Sequence, residues 1–356
     1  MTNTDVQAQT AGTADRDLIV RLAFGSMAAQ TLRAAVRLRV VELVGETPRR
    51  AAAVAVDAGA ELQATTRLLR ALAGLGLLRE HDPGHFSVTP TGALLDPGHP
   101  DSLTAFVGMF TEPAIVRAWE HLESSVRTGE VAFDSVFGTD FFSHLAQHPE
   151  LSVKFNAAMS QAVSETAVAL PYAFDFGRFA TVTDVGGGDG TLLAGVLTAH
   201  PGLTGTVFDT AEGLAETPKT LARHGLERRC SLIAGDFFCS VPEGSELYLM
   251  KSVLHDWTDD QAVTILSHCR EALAPGGRVL IVEPVLPEVV DPSTDADVTD
   301  GGVTYLSDLN MLVNVGGRER TRKDFEDVCR RAGLSVGAVI PLAEAAPYSL
   351  IEATAE

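Results

Sequence analysis

Two groups of residues in this chain have types and spacings suited to chemistry. The first is the run 181–190, which holds Asp184, Gly186, Gly188 and Gly190 in a D-x-G-x-G-x-G pattern. Glycines allow a tight turn and close backbone approach, and a helix starting after the turn offers N–H groups to an anionic or polar ligand. A dinucleotide fingerprint, G-x-G-x-x-G, would need glycine at Thr191 or at Leu193, and neither register is met. A glycine-rich turn of any α/β domain is the plainer reading. The second group is the run 251–257, in which His255 stands just past a predicted strand and is followed by Asp256 and the apolar Trp257. Histidine suits proton abstraction near neutral pH, and a neighbouring carboxylate would orient its ring and stabilise the imidazolium. Glu283, on the next strand, is a candidate partner. A base so paired could take the proton of a substrate hydroxyl held in line for reaction. A surface or helix-capping histidine is the bland alternative. His255 and Asp256 could also ligate a metal, but no second His or Cys lies at ligand spacing, so no metal is expected.

The elements that must hold these residues alternate. Strands are predicted around Val182–Val185, Gly205–Phe208, Cys230–Ala234, Leu247–Met250 and Arg278–Val282, with helices between them and a capping box at Thr258–Gln261. The pattern predicts an α/β fold, a doubly wound, Rossmann-like parallel sheet with ligands at the strands' C-terminal ends. Asp184, Asp209, Asp236, Lys251, His255 and Glu283 all fall at or just past those ends. An acid placed like Asp209, at the end of the strand after a glycine turn, commonly accepts ribose hydroxyls.

At 356 residues the chain has room for two domains, and 46% hydrophobic residues mark it as globular. A net charge of −20 argues against nucleic acid or an anionic membrane as partner. The stretch from Met1 to Arg16 is polar and lacks a signal pattern, and no apolar run approaches membrane-spanning length. Cys230, Cys239, Cys269 and Cys329 have no C-x-x-C or metal spacing, so reduced thiols in a cytoplasmic protein are expected.

From Asp17 to Val44, Leu22, Met27, Leu32, Val36, Val40 and Val44 recur at helical spacing on more than one face, which calls for a large partner surface such as a second subunit. Helix, turn, helix and hairpin follow to about Leu95, in the order of a winged-helix unit. Its second helix offers Gln63, Thr65, Thr66, Arg67 and Arg70 among apolar residues, which favours packing or dimerisation over reading DNA. Between Ser102 and Gly177 the helices are rich in Phe, Met and Trp, including Phe155 and Met159. Core packing explains each singly; as a set they could also roof an apolar pocket for a flat ligand, with Asn156 supplying one hydrogen bond. The domains expected are 1–101 (winged helix, dimerisation), 102–178 (helical, acceptor pocket) and 179–356 (cofactor).

The glycine pattern, with Gly235–Phe238, Leu254–Trp257, Ala274–Gly277, Glu283–Pro284, Asp308–Leu312 and Gly316–Thr321, resembles the caffeate- and hydroxyindole-type O-methyltransferases that use S-adenosylmethionine (SAM), and their bacterial natural-product branch in particular. The resemblance implies a homodimer acting on a hydroxylated aromatic small molecule. It implies His255 as base, flanked by Glu283 and Glu319. It implies a cofactor site formed by Asp184, Gly186, Gly188, Asp209 (ribose), Gly235, Asp236 and Phe237 (adenine), with Lys251 and Ser252 near the sulfonium end. Met159 and Met311 would clamp the acceptor ring, beside Phe155, Asn156, Trp257 and Asp308. Two departures bear on the acceptor: the stretch between Met311 and Gly316 is one residue shorter than in the plant enzymes, and Asn310 replaces a larger apolar residue. Family members that decarboxylate, hydroxylate or methylate carbon, and a winged-helix regulator, are the alternatives at this point.

Overall fold

The structure is a computed structural model that describes residues 16–291 and 302–356. All but the last residue of the polar stretch Met1–Arg16 lies outside the described residues. The chain divides into two compact units, Met1–Glu112 and Pro113–Glu356.

In the first unit the apolar N-terminal segment is broken into three helices, residues 16–23, Gly25–Arg37 and Val40–Val44. The second break is at Arg39, which takes a left-handed conformation (φ 55°). Leu18, Ile19, Leu22, Phe24 and Met27 are exposed, so this unit leaves much of that stretch uncovered. Helices Ala51–Asp57 and Leu62–Gly74 follow, the latter capped by Glu61, whose carboxylate accepts the N–H groups of Gln63 and Ala64. Strand β1 (Arg49–Arg50) pairs antiparallel with β3 (His85–Val88), which forms the expected hairpin with β2 (Leu78–Asp82). Arg70, a residue that could have faced DNA, is ion-paired with Glu80 at 3.1 Å.

The second unit carries a sheet of order β10-β11-β8-β7-β4-β5-β6, where β4 is Thr181–Val185, β5 Thr204–Asp209, β6 Cys230–Ala234, β7 Leu247–Lys251, β8 Arg278–Leu286, β10 Leu334–Pro341 and β11 Tyr348–Ala355. β4 to β8 run parallel, and the short β9 (Arg320–Thr321) pairs parallel with the end of β8. The last two strands are antiparallel, so the sheet is mixed. Leu247, Leu249, Leu280 and Val282 join the core on one face, while Tyr248, Met250, Val279 and Ile281 join the core on the other. Burial on both faces is why these strands read as unbroken apolar runs.

The long helix Pro149–Ala173 lies along helix Thr191–Ala199. The two approach closely at Gly195, where an added Cβ would collide with the carbonyl oxygen of Ala167, and His200 Nε2 sits 2.8 Å from the carbonyl of Pro171. Gly195→Ala should therefore destabilise the protein by about 1–3 kcal/mol, read as a melting temperature lowered by several degrees. An unchanged melting temperature would mean that the two helices do not meet at this glycine.

Candidate active site

Because strands β4 to β8 are parallel, their C-terminal ends lie along one edge of the sheet. The turn after β4 takes Gly186, Gly188 and Gly190 through positive φ (72°, 55° and 76°), which favours glycine. An added Cβ at Gly186 would come within 2.7 Å of Val253, so this turn packs against the segment that leads to His255. The Asp209 carboxylate accepts N–H groups from Gly188 (2.8 Å) and Thr210 (2.6 Å) and so ties β5 to the glycine turn. Asp189, which the sequence reading passed over, caps Thr191 (3.0 Å) and accepts from the hydroxyl of Ser160 (2.7 Å).

Asp184, Asp189 and Asp209 form an acidic cradle with no basic residue ion-paired to them among the described residues. Burial, followed by the charges of Asp209 and Asp189, pushes Asp184 up to about 8, and its Oδ2 is buried without a hydrogen-bond partner. An orphaned acceptor among three carboxylates fits a ligand bearing positive charge, as the sulfonium and ammonium groups of SAM do. Further along the edge, Gly235 passes close to the Phe208 ring, and Asp236 Oδ1 accepts the N–H of Phe238 at 2.8 Å.

After β7 the chain enters a single turn, Leu254–Asp256, through Ser252 at a positive φ of 53°. This turn is held from two sides. Glu283 is fully buried, and its Oε1 accepts the N–H groups of Val253, Leu254 and His255 at 3.1, 2.7 and 3.3 Å. Arg320, also fully buried, donates to the carbonyls of Leu254 (2.7 Å) and Trp257 (2.9 Å) and pairs with Asp259 (2.9 Å). The ring partner of His255 is thus Glu319 rather than Glu283: Nδ1 lies 3.0 Å from Glu319 Oε1. Ser307 donates to the same oxygen at 3.0 Å, and Asp308 Oδ1 accepts the N–H of Glu319 at 2.8 Å. Asp308, grouped with the acceptor residues by sequence, here anchors a partner of the histidine. Nε2 faces Asp256 Oδ1 at 3.6 Å.

Burial alone would lower the His255 pKa, but Asp256, Glu319 and Glu283 outweigh it and raise it to about 10. Ligand atoms of His255, Glu283 and Glu319 lie within 4.8 Å of one another, a spacing a metal could use. Glu283 Oε1 is engaged by three N–H groups, whereas Glu283 Oε2 and Glu319 Oε2 are buried without a hydrogen-bond partner.

Lys251 Nζ donates to Tyr348 Oη at 2.8 Å and sits 4.2 Å from the ring centroid, with Ser252 Oγ 3.4 Å from the same oxygen. Burial would raise the Tyr348 pKa, but Lys251 and then Ser252 and His255 lower it overall. Nothing in the sequence singled out Tyr348, because the antiparallel strand that delivers it lies some 100 residues after Lys251.

The aromatic candidates form a continuous row. Phe155 meets Phe141 and Phe142 edge-on (5.5 and 6.3 Å), Phe142 stacks on Trp257 (5.1 Å), and Trp257 meets Phe238 and Phe237 edge-on (4.7 and 5.9 Å). Trp257 therefore joins the Phe155 end to the Phe237 end. Met311 is buried and Met159 half-buried, one helical turn from Phe155. Asn156 turns away from the row and donates to the carbonyl of Glu212 at 3.4 Å. Asn310, the departure noted in the sequence, accepts from Trp119 Nε1 (3.0 Å) and Asn314 Nδ2 (2.8 Å).

A family model described as an O-methyltransferase domain matches residues 119–335, and one described as an O-methyltransferase dimerisation domain matches residues 20–96. The chain is 44% identical over 344 residues to an O-demethylpuromycin O-methyltransferase of Streptomyces alboniger, covering 95% of this chain and 89% of that protein. Among solved structures it is similar to a mitomycin 7-O-methyltransferase (TM-score 0.86, 36% identity, 98% of this chain and 100% of the other). It is also similar to human N-acetylserotonin methyltransferase in complex with SAM (TM-score 0.83, 28% identity, 96% and 97%).

The His255 cluster has a consequence for stability. A pKa raised from about 6.5 in the unfolded chain to about 10 in the fold contributes stability that is complete below the lower value and lost as pH rises through the upper one. Between pH 6.5 and 10 the wild-type melting temperature should fall by more than that of His255→Gln. Parallel curves for the two proteins would remove the imidazolium from the cluster.

Proposed function

We propose that this chain, which belongs to the family of SAM-dependent O-methyltransferases with an N-terminal dimerisation domain, methylates a hydroxyl of an aromatic natural-product intermediate and uses His255 as the base. The enzyme is an O-methyltransferase and SAM is its cofactor. When bound, SAM supplies an electrophilic methyl group and leaves as S-adenosylhomocysteine. The observation that carries the proposal is the His255–Glu319 pair on a turn clamped by Glu283 and Arg320, directly beside the glycine turn.

Glu319 holds the imidazole through Nδ1, and Nε2, which lies 3.6 Å from Asp256 Oδ1, is the nitrogen that would exchange a proton with the acceptor hydroxyl. The surrounding carboxylates bring His255 to about 10, close to the ~10 of an ordinary phenol, so proton transfer between the two is nearly balanced. The protonated ring also donates to a bound phenolate. A cationic cofactor in the cradle would lower the imidazolium pKa from that value by like-charge repulsion. The acidic cradle of Asp184, Asp189 and Asp209 receives the cationic end of the cofactor, with Asp209 on its ribose and Asp236 and Phe237 on its adenine. Phe155, Met159, Trp257 and Met311 offer flat apolar surface to the acceptor. The relatives named above are methyltransferases of O-demethylpuromycin, of mitomycin and of N-acetylserotonin, which supports a natural-product acceptor. The exposed apolar residues from Leu18 to Met27 support a homodimer. Among the described residues no helix is long and apolar enough to cross a membrane, and the four free cysteines agree with a cytoplasmic enzyme.

His255→Ala should lower turnover about 10²–10⁴-fold while SAM binding, read by calorimetry, survives; full activity in the variant would discard this base. Methyl transfer should rise with pH between 7 and 10, as His255 loses its proton, and Glu319→Gln should move that rise to lower pH. A rise at the same pH in both proteins would detach Glu319 from the histidine. Mass spectrometry of the purified enzyme with SAM and a panel of hydroxylated aromatics should show a gain of about 14 Da on one acceptor, one methyl replacing one proton. An acceptor oxidised or shortened with SAM intact would move the protein to the non-methylating branch.

A further inference from the structure

The helix Pro149–Ala173 has two adjacent stripes with different partners. Phe155 and Met159, one turn apart, belong to the acceptor wall described above. Asn156 and Ser160, also one turn apart, reach the loops that bind the cofactor instead. Ser160 Oγ donates to Asp189 Oδ2 at 2.7 Å in a partly buried bond, and Asn156 Nδ2 donates to the Glu212 carbonyl in the loop after β5 at 3.4 Å. The other oxygen of Asp189 caps the N-terminus of helix Thr191–Ala199 at 3.0 Å. Asp189 therefore sits between the glycine turn and the acceptor helix.

The two halves of the helix are held differently. The C-terminal half is fixed by apolar packing, with the Gly195–Ala167 approach and the His200–Pro171 contact. The N-terminal half, which bears Phe155 and Met159, has exposed Val153 and Lys154 on its flank. Asn156 and Ser160 tie it to the loops after β4 and β5.

We propose that Ser160 is a positioning residue that couples occupancy of the cofactor turn to the acceptor-bearing half of this helix. The proposal rests on the reading that the glycine turn holds the cofactor. A ligand that orders the turn fixes Asp189, Asp189 fixes Ser160, and Ser160 sets the helix half that carries Phe155 and Met159. Hydrogen bonds to a charged group are strong enough to bias such an equilibrium. Acceptor binding is then favoured after the cofactor has bound.

The test is amide hydrogen exchange of the full-length protein with and without S-adenosylhomocysteine. In the wild type, the ligand should slow exchange both in the turn 184–191 and in residues 150–160, by at least about tenfold in the latter. In Ser160→Ala the turn should still be protected while the helix half loses its protection, and Ser160→Thr, which keeps the hydroxyl, should restore it. Equal protection of residues 150–160 in wild type and Ser160→Ala would overturn the coupling and leave the cofactor site standing. Absence of protection in the turn of the wild type, with the ligand bound by calorimetry, would overturn the reading of the turn and the coupling with it.

Discussion

One oxygen of a buried carboxylate, Glu283 Oε1, gathers three successive N–H groups from Val253 to His255, and the fully buried guanidinium of Arg320 takes the carbonyls of Leu254 and Trp257 on the other side. A short turn at a strand end cannot satisfy its own backbone groups, and each one left unpaired away from water would be costly. Here the Glu283 carboxyl, whose pKa burial pushes up, accepts the N–H groups, and the Arg320 guanidinium donates to the carbonyls. The buried guanidinium is itself compensated by Asp259 at 2.9 Å. The direction of the imidazole, the approach of Glu319 and the packing of Val253 against Gly186 all follow from this clamp.

Charge distribution organises the rest of the edge. At one end three aspartates converge around the glycine turn without an ion-paired basic residue among the described residues, which suits a cationic cofactor. At the other, three carboxylates surround a single imidazole and make it far more basic than a free histidine. A sulfonium held in the cradle would offset the repulsion among its carboxylates. The Lys251–Tyr348 pair adds a localised positive charge beside the same turn, held by both a hydrogen bond and the ring face.

The acceptor side is built from helices outside the sheet. Trp257 stacks on Phe142 and meets Phe237 edge-on, so the row of rings spans from the long helix Pro149–Ala173 to the far end of the cofactor edge. Asn310, next to Met311 in sequence, carries an amide whose orientation is set by Trp119, since an indole N–H can only donate.

Periodicity and spacing by themselves determined the parallel strands, the tight glycine turn, the capping box at Thr258 and the placement of Asp184, Asp209, Lys251, His255 and Glu283 along one edge. These are local properties, or follow from the rule that parallel strands share an end. The ordered motifs also carried the family. Which acid meets which ring was decided only in three dimensions: Glu319 comes from a loop 64 residues after His255, and Glu283 turned out to bind backbone rather than imidazole. Tyr348 and Ser160 had no signal at all, because an ordinary tyrosine in a C-terminal strand and a serine in a helix acquire chemical meaning only from what packs against them. The sequence fixes side-chain chemistry and local backbone geometry, whereas pairings across dozens of residues depend on how strands and helices pack, and that is set by the burial of the whole core.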